Sequence, residues 1–140
     1  MDPHQISDRL DIQDVLIRYT RAIDTGDWDR LDTVFTPDAQ IDYTQSGGVS
    51  GGYAEVKGWL AENLPIFPRR MHTLGQVEIA YDGDGARVAA YFHNPMVLPS
   101  GDGGELLVEV GGIYHHRMLR SPDGWRSREL VEELVWKRGL

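Results

Sequence analysis

The chain has 140 residues, the size of one compact domain that buries roughly two-thirds of the surface its unfolded form exposes. Its 41% hydrophobic and 26% charged residues exclude a disordered or fibrous chain, so we expect a single domain over residues 1–140. The net charge of −8, without a clustered basic stripe, excludes nucleic acid and anionic membrane surfaces as expected partners and favours a small-molecule substrate.

The chain contains no cysteine, which rules out disulfides, thiolate metal sites and cysteine nucleophiles. Its N-terminus lacks a basic region followed by an apolar run, the pattern of a secretory signal. No apolar stretch approaches the roughly 18 residues that a membrane-spanning helix needs. These features predict a soluble, cytoplasmic protein.

The first half of the chain carries the hydrophobic spacing of three helices and one strand. An Asp2 cap followed by proline begins the first helix, which ends at Gly26. A second helix is predicted between Asp27 and the next proline, because its apolar residues recur at helical spacing. Alternation of apolar and polar residues predicts a strand at 39–44, and helical spacing returns over Tyr53–Leu64.

The second half of the chain is predicted to be sheet, because strand-like runs alternate with Gly-, Pro- and Asp-rich turns. The predicted strands are Met71–Tyr81, Arg87–Leu98, Leu106–Leu119 and Trp125–Trp136. They form consecutive antiparallel hairpins, and a glycine pair at 111–112 is expected to form a bulge that bends the sheet. The predicted fold is an α+β cone, in which a curved, mostly antiparallel sheet packs on three N-terminal helices around a pocket, in the order α-α-β-α-β-β-β-β.

No motif for binding zinc, calcium, phosphate or a dinucleotide is present, so we expect acid–base chemistry without a cofactor or metal. The pair His115-His116 is a poor metal site, because neighbours on a strand point to opposite faces. We expect one of these two histidines to point inward and the other to be solvated.

His72 lies at the start of an apolar strand, where its ring could face the concave side of the sheet. It is either a general base oriented by a carboxylate or a core histidine bonded to backbone. Asp24 ends the first helix, where a negative charge opposes the helix dipole by roughly 0.3–1 kcal/mol, which indicates a purpose other than solvation. Tyr19, on the apolar stripe of that helix, is either a core residue or a hydrogen-bond donor to a cavity.

Two adjacent polar residues, His93 and Asn94, interrupt an apolar strand, and one of them is expected to face the pocket and bind substrate. The aromatic side chains of Tyr43, Trp59 and Phe67 could line a pocket for a ring. Core packing explains each of these aromatic residues equally well.

The runs Ile12–Ala39 (IQDVLIRYTRAIDTGDWDRLDTVFTPDA) and Gly111–Leu130 (GGIYHHRMLRSPDGWRSREL) resemble the opening and the closing strands of SnoaL-like proteins in the nuclear transport factor 2-like superfamily. The closer match is to the scytalone dehydratase, bile acid 7α-dehydratase and lindane dehydrochlorinase members. Those proteins pair an Asp at the end of the first helix with a His at the start of a strand, positions that Asp24 and His72 occupy. The two dehydratases also place a Tyr on the first helix, which Tyr19 matches.

The resemblance implies a cofactor-independent lyase of the dehydratase type that removes a proton next to the carbonyl of a small cyclic or polyketide-like hydroxy compound. In it His72 is the base, Asp24 orients it and Tyr19 binds the enolate oxygen. An isomerase or polyketide cyclase would use the same pocket, and a non-catalytic ligand-binding module like the dioxygenase β subunits is the alternative of another class. The outer face of the sheet, around Ile113, is expected to form a homodimer or homotrimer.

Overall fold

The computed structural model describes residues 2–139, which fold into two α-helices, three short 3₁₀ turns and seven strands. The helices are α1 (Pro3–Thr25) and α2 (Tyr53–Asn63), and the 3₁₀ turns are Trp28–Thr33, Thr44–Ser46 and Leu64–Ile66. The strands are β1 (Phe35–Asp42), β2 (Ser50–Gly52), β3 (Arg69–Arg70), β4 (Thr73–Asp82), β5 (Gly85–Pro99), β6 (Glu105–Ser121) and β7 (Gly124–Arg138).

Both ends of α1 are set by the residues that the sequence indicates. The Asp2 carboxylate accepts a hydrogen bond from the Gln5 amide at 2.9 Å, and the Gln5 side chain bonds back, which completes a capping box. Gly26 ends the helix with φ of +70°, a left-handed conformation that glycine adopts without strain. The predicted apolar stripe is buried, and its most completely covered members include Ile12 and Leu16.

The second predicted helix is wrong in type and extent, since the chain forms a 3₁₀ turn at Trp28–Thr33 and enters β1 at Phe35. The cause is a hydrogen bond from the Ser127 amide to the Val34 carbonyl, at 2.7 Å, which draws the chain into the sheet. Phe35 then pairs with Ser127 in the β1–β7 ladder. A longer helix would forfeit this pairing, and a short 3₁₀ segment leaves room for it.

The sheet has the strand order β2-β1-β7-β6-β5-β3, with β4 also paired to β5. Strands β4 to β7 form the predicted consecutive antiparallel hairpins, whereas β1 lies parallel to β7. The expected bulge is present as a register shift between Gly111 and Gly112. The indole of Trp136 occupies the space that a Cβ on Gly111 would fill, so glycine permits the close approach of β6 and β7.

The core lies between the inner face of the curved sheet and the two helices. Inward residues of β6 and β7, such as Tyr114, Met118 and Leu130, pack against the buried stripe of α1. The architecture is therefore the predicted α+β arrangement. Within residues 2–139 the helices are too short or too polar to cross a lipid bilayer.

Candidate active site

A cavity of about 400 Å³ lies between the C-terminal part of α1, helix α2 and the inner face of the sheet. Its walls are mostly apolar, with a few polar groups that converge from different elements. Its buried and half-buried polar side chains are Tyr19, Tyr43, Ser46, His72, Asn94, Tyr114 and Glu132, and the exposed Glu62 and Asn63 also line it. Six of the eight residues predicted from the sequence as catalytic or binding candidates therefore line this cavity, namely Tyr19, Tyr43, Trp59, Phe67, His72 and Asn94.

His72 and Asp24, which lie 48 positions apart, meet at one wall of this cavity. The Asp24 carboxylate accepts two hydrogen bonds from the same residue, one from the His72 backbone N–H at 2.9 Å and one from its ring Nδ1 at 2.5 Å. The His72 side chain is 3% exposed and the Asp24 side chain is 14% exposed. Because a carboxylate only accepts, Nδ1 carries a proton and Nε2 of the neutral ring is the proton acceptor.

Arg70 holds the end of α1 beside the segment that carries His72. Its Nε donates to the Ile23 carbonyl at 2.8 Å, and its Nη1 donates to the Phe67 carbonyl at 2.9 Å. The guanidinium also lies 5.5 Å from the ring centroid of Trp28, a cation–π distance. A cation at the helix C-terminus offsets the unfavourable position of Asp24. This positioning role of Arg70 was not predicted from the sequence, where its one signal is an Arg two residues before the candidate His.

Tyr19 is fully buried, and its hydroxyl is hydrogen-bonded to that of Tyr43. Burial raises the pKa of both phenols well above the ordinary value, so both remain neutral hydrogen-bond donors. One of the two hydroxyl protons lies between the oxygens, and the other can be donated to Tyr114 or to a ligand in the cavity. The Tyr19 side chain lines the cavity itself, whereas Asp24 contacts His72, which lines the cavity. Tyr19 and Asp24 therefore need not lie on the same face of α1.

Asn94 is the member of the His93-Asn94 pair that faces the cavity. It is 7% exposed, and its buried Oδ1 has no hydrogen-bond partner among residues 2–139. The prediction that His93 binds in the pocket is corrected by strand alternation, which places its ring on the outer face of β5. There its Nε2 lies 3.0 Å from the Glu109 carboxylate.

Three of the buried and half-buried polar residues of the cavity wall, Ser46, Tyr114 and Glu132, were not predicted from the sequence. Glu132 of β7 is 6% exposed and accepts a hydrogen bond from the Ser46 hydroxyl. Burial raises the pKa of Glu132 to about 7. The available signal was alternation in β7, where Glu132 takes an inward position between Leu130 and Leu134.

The adjacent histidines of β6 point to opposite faces, as predicted. His116 is buried and its Nδ1 lies 2.8 Å from the Ser127 hydroxyl, whereas His115 is exposed and pairs with Glu133 at 2.7 Å. Burial lowers the pKa of His116 to about 3, so it is a neutral core residue. In the described part of the chain, no three His, Asp or Glu side chains are grouped as metal ligands.

With the fold and cavity defined, the class of protein follows. A family model described as a SnoaL-like domain matches residues 4–131. The chain therefore belongs to the SnoaL-like family, and its fold is that of the nuclear transport factor 2-like superfamily.

Two curated relatives cover most of the chain. The Mycobacterium tuberculosis protein Rv2910c is 45% identical over 134 residues, which are 96% of this chain and 90% of that protein. The probable cyclase FGR4 of Gibberella zeae is 28% identical over 139 residues, with 90% of this chain and 91% of that protein covered.

Three solved structures have the same fold. A putative aromatic ring hydroxylase from Novosphingobium aromaticivorans superposes with a TM-score of 0.87 at 31% identity, covering 100% of this chain and 96% of that one. A putative scytalone dehydratase from the same species gives 0.86 at 14% identity, covering 100% and 92%. The type 2 hexachlorocyclohexane dehydrochlorinase LinA gives 0.83 at 17% identity, covering 97% and 90%.

Proposed function

We propose that this protein is a lyase of the dehydratase type, which removes water from a small cyclic or polyketide-like hydroxy carbonyl compound. The observation that carries the proposal is the His72–Asp24 pair, an imidazole in a cavity wall that one carboxylate holds through two hydrogen bonds. A histidine oriented in this way is the most frequent general base in enzymes. Proton transfer of this kind needs no cofactor.

The polar groups of the cavity fit the steps of such an elimination. His72 Nε2 removes the proton next to the carbonyl, and Asp24 stabilises the imidazolium that forms. The electron pair moves to the carbonyl oxygen, which accepts a hydrogen bond from the Tyr19–Tyr43 pair. When the enolate collapses, the carbon–carbon double bond forms and the bond to the β-hydroxyl breaks. The departing oxygen takes up a proton and leaves as water.

The remaining lining suits a ring-shaped substrate. Trp59 and Phe67 supply aromatic surface, and the unpartnered amide oxygen of Asn94 can accept a hydrogen bond from a substrate hydroxyl. The names of similar proteins, a putative scytalone dehydratase, a dehydrochlorinase and a probable cyclase, support proton-transfer chemistry in this fold.

The test is a screen of cyclic β-hydroxy ketones for formation of the conjugated enone, followed by kinetics of variants. We expect His72→Gln and Asp24→Asn each to lower kcat by roughly 10²–10⁴-fold, since one loses the base and the other its orientation. His115→Gln is the matched control, because that histidine is exposed outside the cavity, and it should retain wild-type turnover. Full turnover by His72→Gln would refute the assigned base.

The similarity to a probable cyclase favours a second candidate on the same residues, in which the enolate attacks a carbonyl of the same molecule. The mass of the product separates the two reactions. An elimination product is lighter by one water, whereas an addition that closes a ring without loss of water keeps the mass of the substrate.

A further inference from the structure

Glu132 and His72 line the same cavity, and the proposed function gives Glu132 no role. It lies on β7 directly opposite Tyr114 of β6 in the ladder, and the Tyr114 ring centroid is 6.4 Å from that of His72. All three residues line the cavity. A carboxyl group on β7 and an imidazole in the segment between β3 and β4 therefore line one cavity, and Tyr114 is the neighbour of both.

We propose that Glu132 is the general acid of the elimination, which donates its proton to the departing hydroxyl while His72 removes the proton from carbon. This proposal rests on the proposed function and deepens it. The acid and the base are assigned to different residues because both line the cavity. Glu132 can then act on the leaving oxygen while His72 acts on the carbon-bound proton of the same ligand.

Burial of Glu132 raises its pKa to about 7, so a large fraction of this carboxyl is protonated near neutral pH. It is buried among the neutral phenols Tyr19, Tyr43 and Tyr114, and the negative charge of nearby Asp42 also disfavours ionisation. No cation of the described residues bonds to it; its hydrogen-bond partner is the Ser46 hydroxyl.

Ser46 can bond to Glu132 in both protonation states. When Glu132 is a carboxylate, the serine hydroxyl donates to it. When Glu132 is a carboxyl group, the serine hydroxyl can still donate to its carbonyl oxygen, which leaves the carboxyl proton free for the leaving group. The site therefore holds Glu132 in place before and after it gives up a proton, as a general acid requires.

The step balances in atoms and charge. The C–H electron pair becomes the new double bond, by way of the enolate, and the C–O pair leaves with the oxygen. That oxygen takes the Glu132 proton and departs as water. His72 then holds the proton from carbon, and loss of that proton to solvent with uptake of one by Glu132 restores the protein.

The test compares two leaving groups on otherwise identical cyclic ketones, a β-hydroxyl that needs a proton to depart and a β-acetoxy group that departs as acetate. We expect Glu132→Gln to lower kcat for the hydroxy ketone by roughly 100-fold or more and for the acetoxy ketone by less than about threefold. His72→Gln should slow both substrates alike, and Glu129→Gln, at an exposed position of the same strand, should slow neither.

An infrared spectrum of the ligand-free protein tests the protonated carboxyl independently of turnover. A carboxylic acid band at about pH 6 should be present in the wild type and in Glu129→Gln and absent from Glu132→Gln. Absence of that band from the wild type, or an equal loss on both ketones in Glu132→Gln, would overturn the acid role alone. Failure of the wild type to convert either ketone would overturn the proposed elimination together with this role.

Discussion

At the scale of single residues, the cavity combines groups whose charge states are set by burial. Tyr19 and Tyr43 stay neutral because desolvation raises the pKa of each phenol, and Asp24 keeps partners for both carboxylate oxygens. Burial also raises the pKa of Glu132, from 4.5 to about 7, so this group can gain or lose a proton near neutral pH. It is the one buried carboxyl in the described cavity wall.

The raised pKa of Glu132 predicts a pH dependence of folding stability. The folded protein binds this proton more tightly than the unfolded chain does, so the stabilisation is complete below about pH 4.5 and is lost as pH rises through about 7. The loss amounts to at most roughly 3 kcal/mol. Urea unfolding from acid to mildly alkaline pH should show a flatter curve for Glu132→Gln, whereas identical curves for wild type and variant would contradict the burial of an ionisable group here.

At the scale of elements, the site depends on how the end of α1 is joined to the segment between β3 and β4. Arg70 makes this connection, because its guanidinium bonds to the Ile23 and Phe67 carbonyls. Asp24 follows Ile23 in the chain and His72 lies two residues after Arg70, so these bonds hold Asp24 and His72 close enough to pair.

Substitution of Arg70 should therefore affect both stability and the proposed catalysis. Arg70→Met should destabilise the fold by about 1.5–3 kcal/mol, the range for hydrogen bonds from a charged group, and should lower kcat more than it raises KM. Arg69→Met is the matched control, since its exposed side chain bonds only Glu105 on the surface. Equal effects of the two variants in urea unfolding would argue against the connecting role of Arg70.

Periodicity predicts the elements better than it predicts their junctions. The stripe of α1, the four long strands and the inward position of one residue of the His93-Asn94 pair follow from spacing alone. The 3₁₀ turn at Trp28–Thr33 does not, because a hydrogen bond from Ser127, more than ninety positions away, decides where β1 begins. Strands β2 and β3 are too short for any alternation to be visible.

At the scale of the whole molecule, the order and packing of the helices and strands bring the site residues together from distant parts of the chain. The meeting of Asp24 and His72 was suggested by family resemblance and not by spacing, since their separation in sequence carries no geometric information. The inward position of Glu132 is visible in the pattern of β7, but alternation alone does not separate a carboxyl group that lines a cavity from one that is paired in the core.

The outer face of the sheet exposes large apolar side chains, including Tyr91, Leu107 and Trp136. We propose that this face contacts a second copy of the chain, as a homodimer or homotrimer. Light scattering coupled to gel filtration should give the mass of an oligomer for the wild type and of a monomer for Tyr91→Asp combined with Trp136→Asp. A monomeric wild type at micromolar concentration would contradict this assembly.

The most direct measurement is the tautomer of His72, observed by nitrogen NMR in the wild type and in Asp24→Asn. Because Asp24 accepts from both the backbone amide and Nδ1, the neutral ring should carry its proton on Nδ1 in the wild type and leave Nε2 as the base. The amide of Asn offers only one acceptor atom, so the variant should show a mixture of tautomers. A proton on Nε2 in the wild type, or an unchanged Nδ1–H signal in the variant, would contradict the assignment of His72 as a base oriented by Asp24.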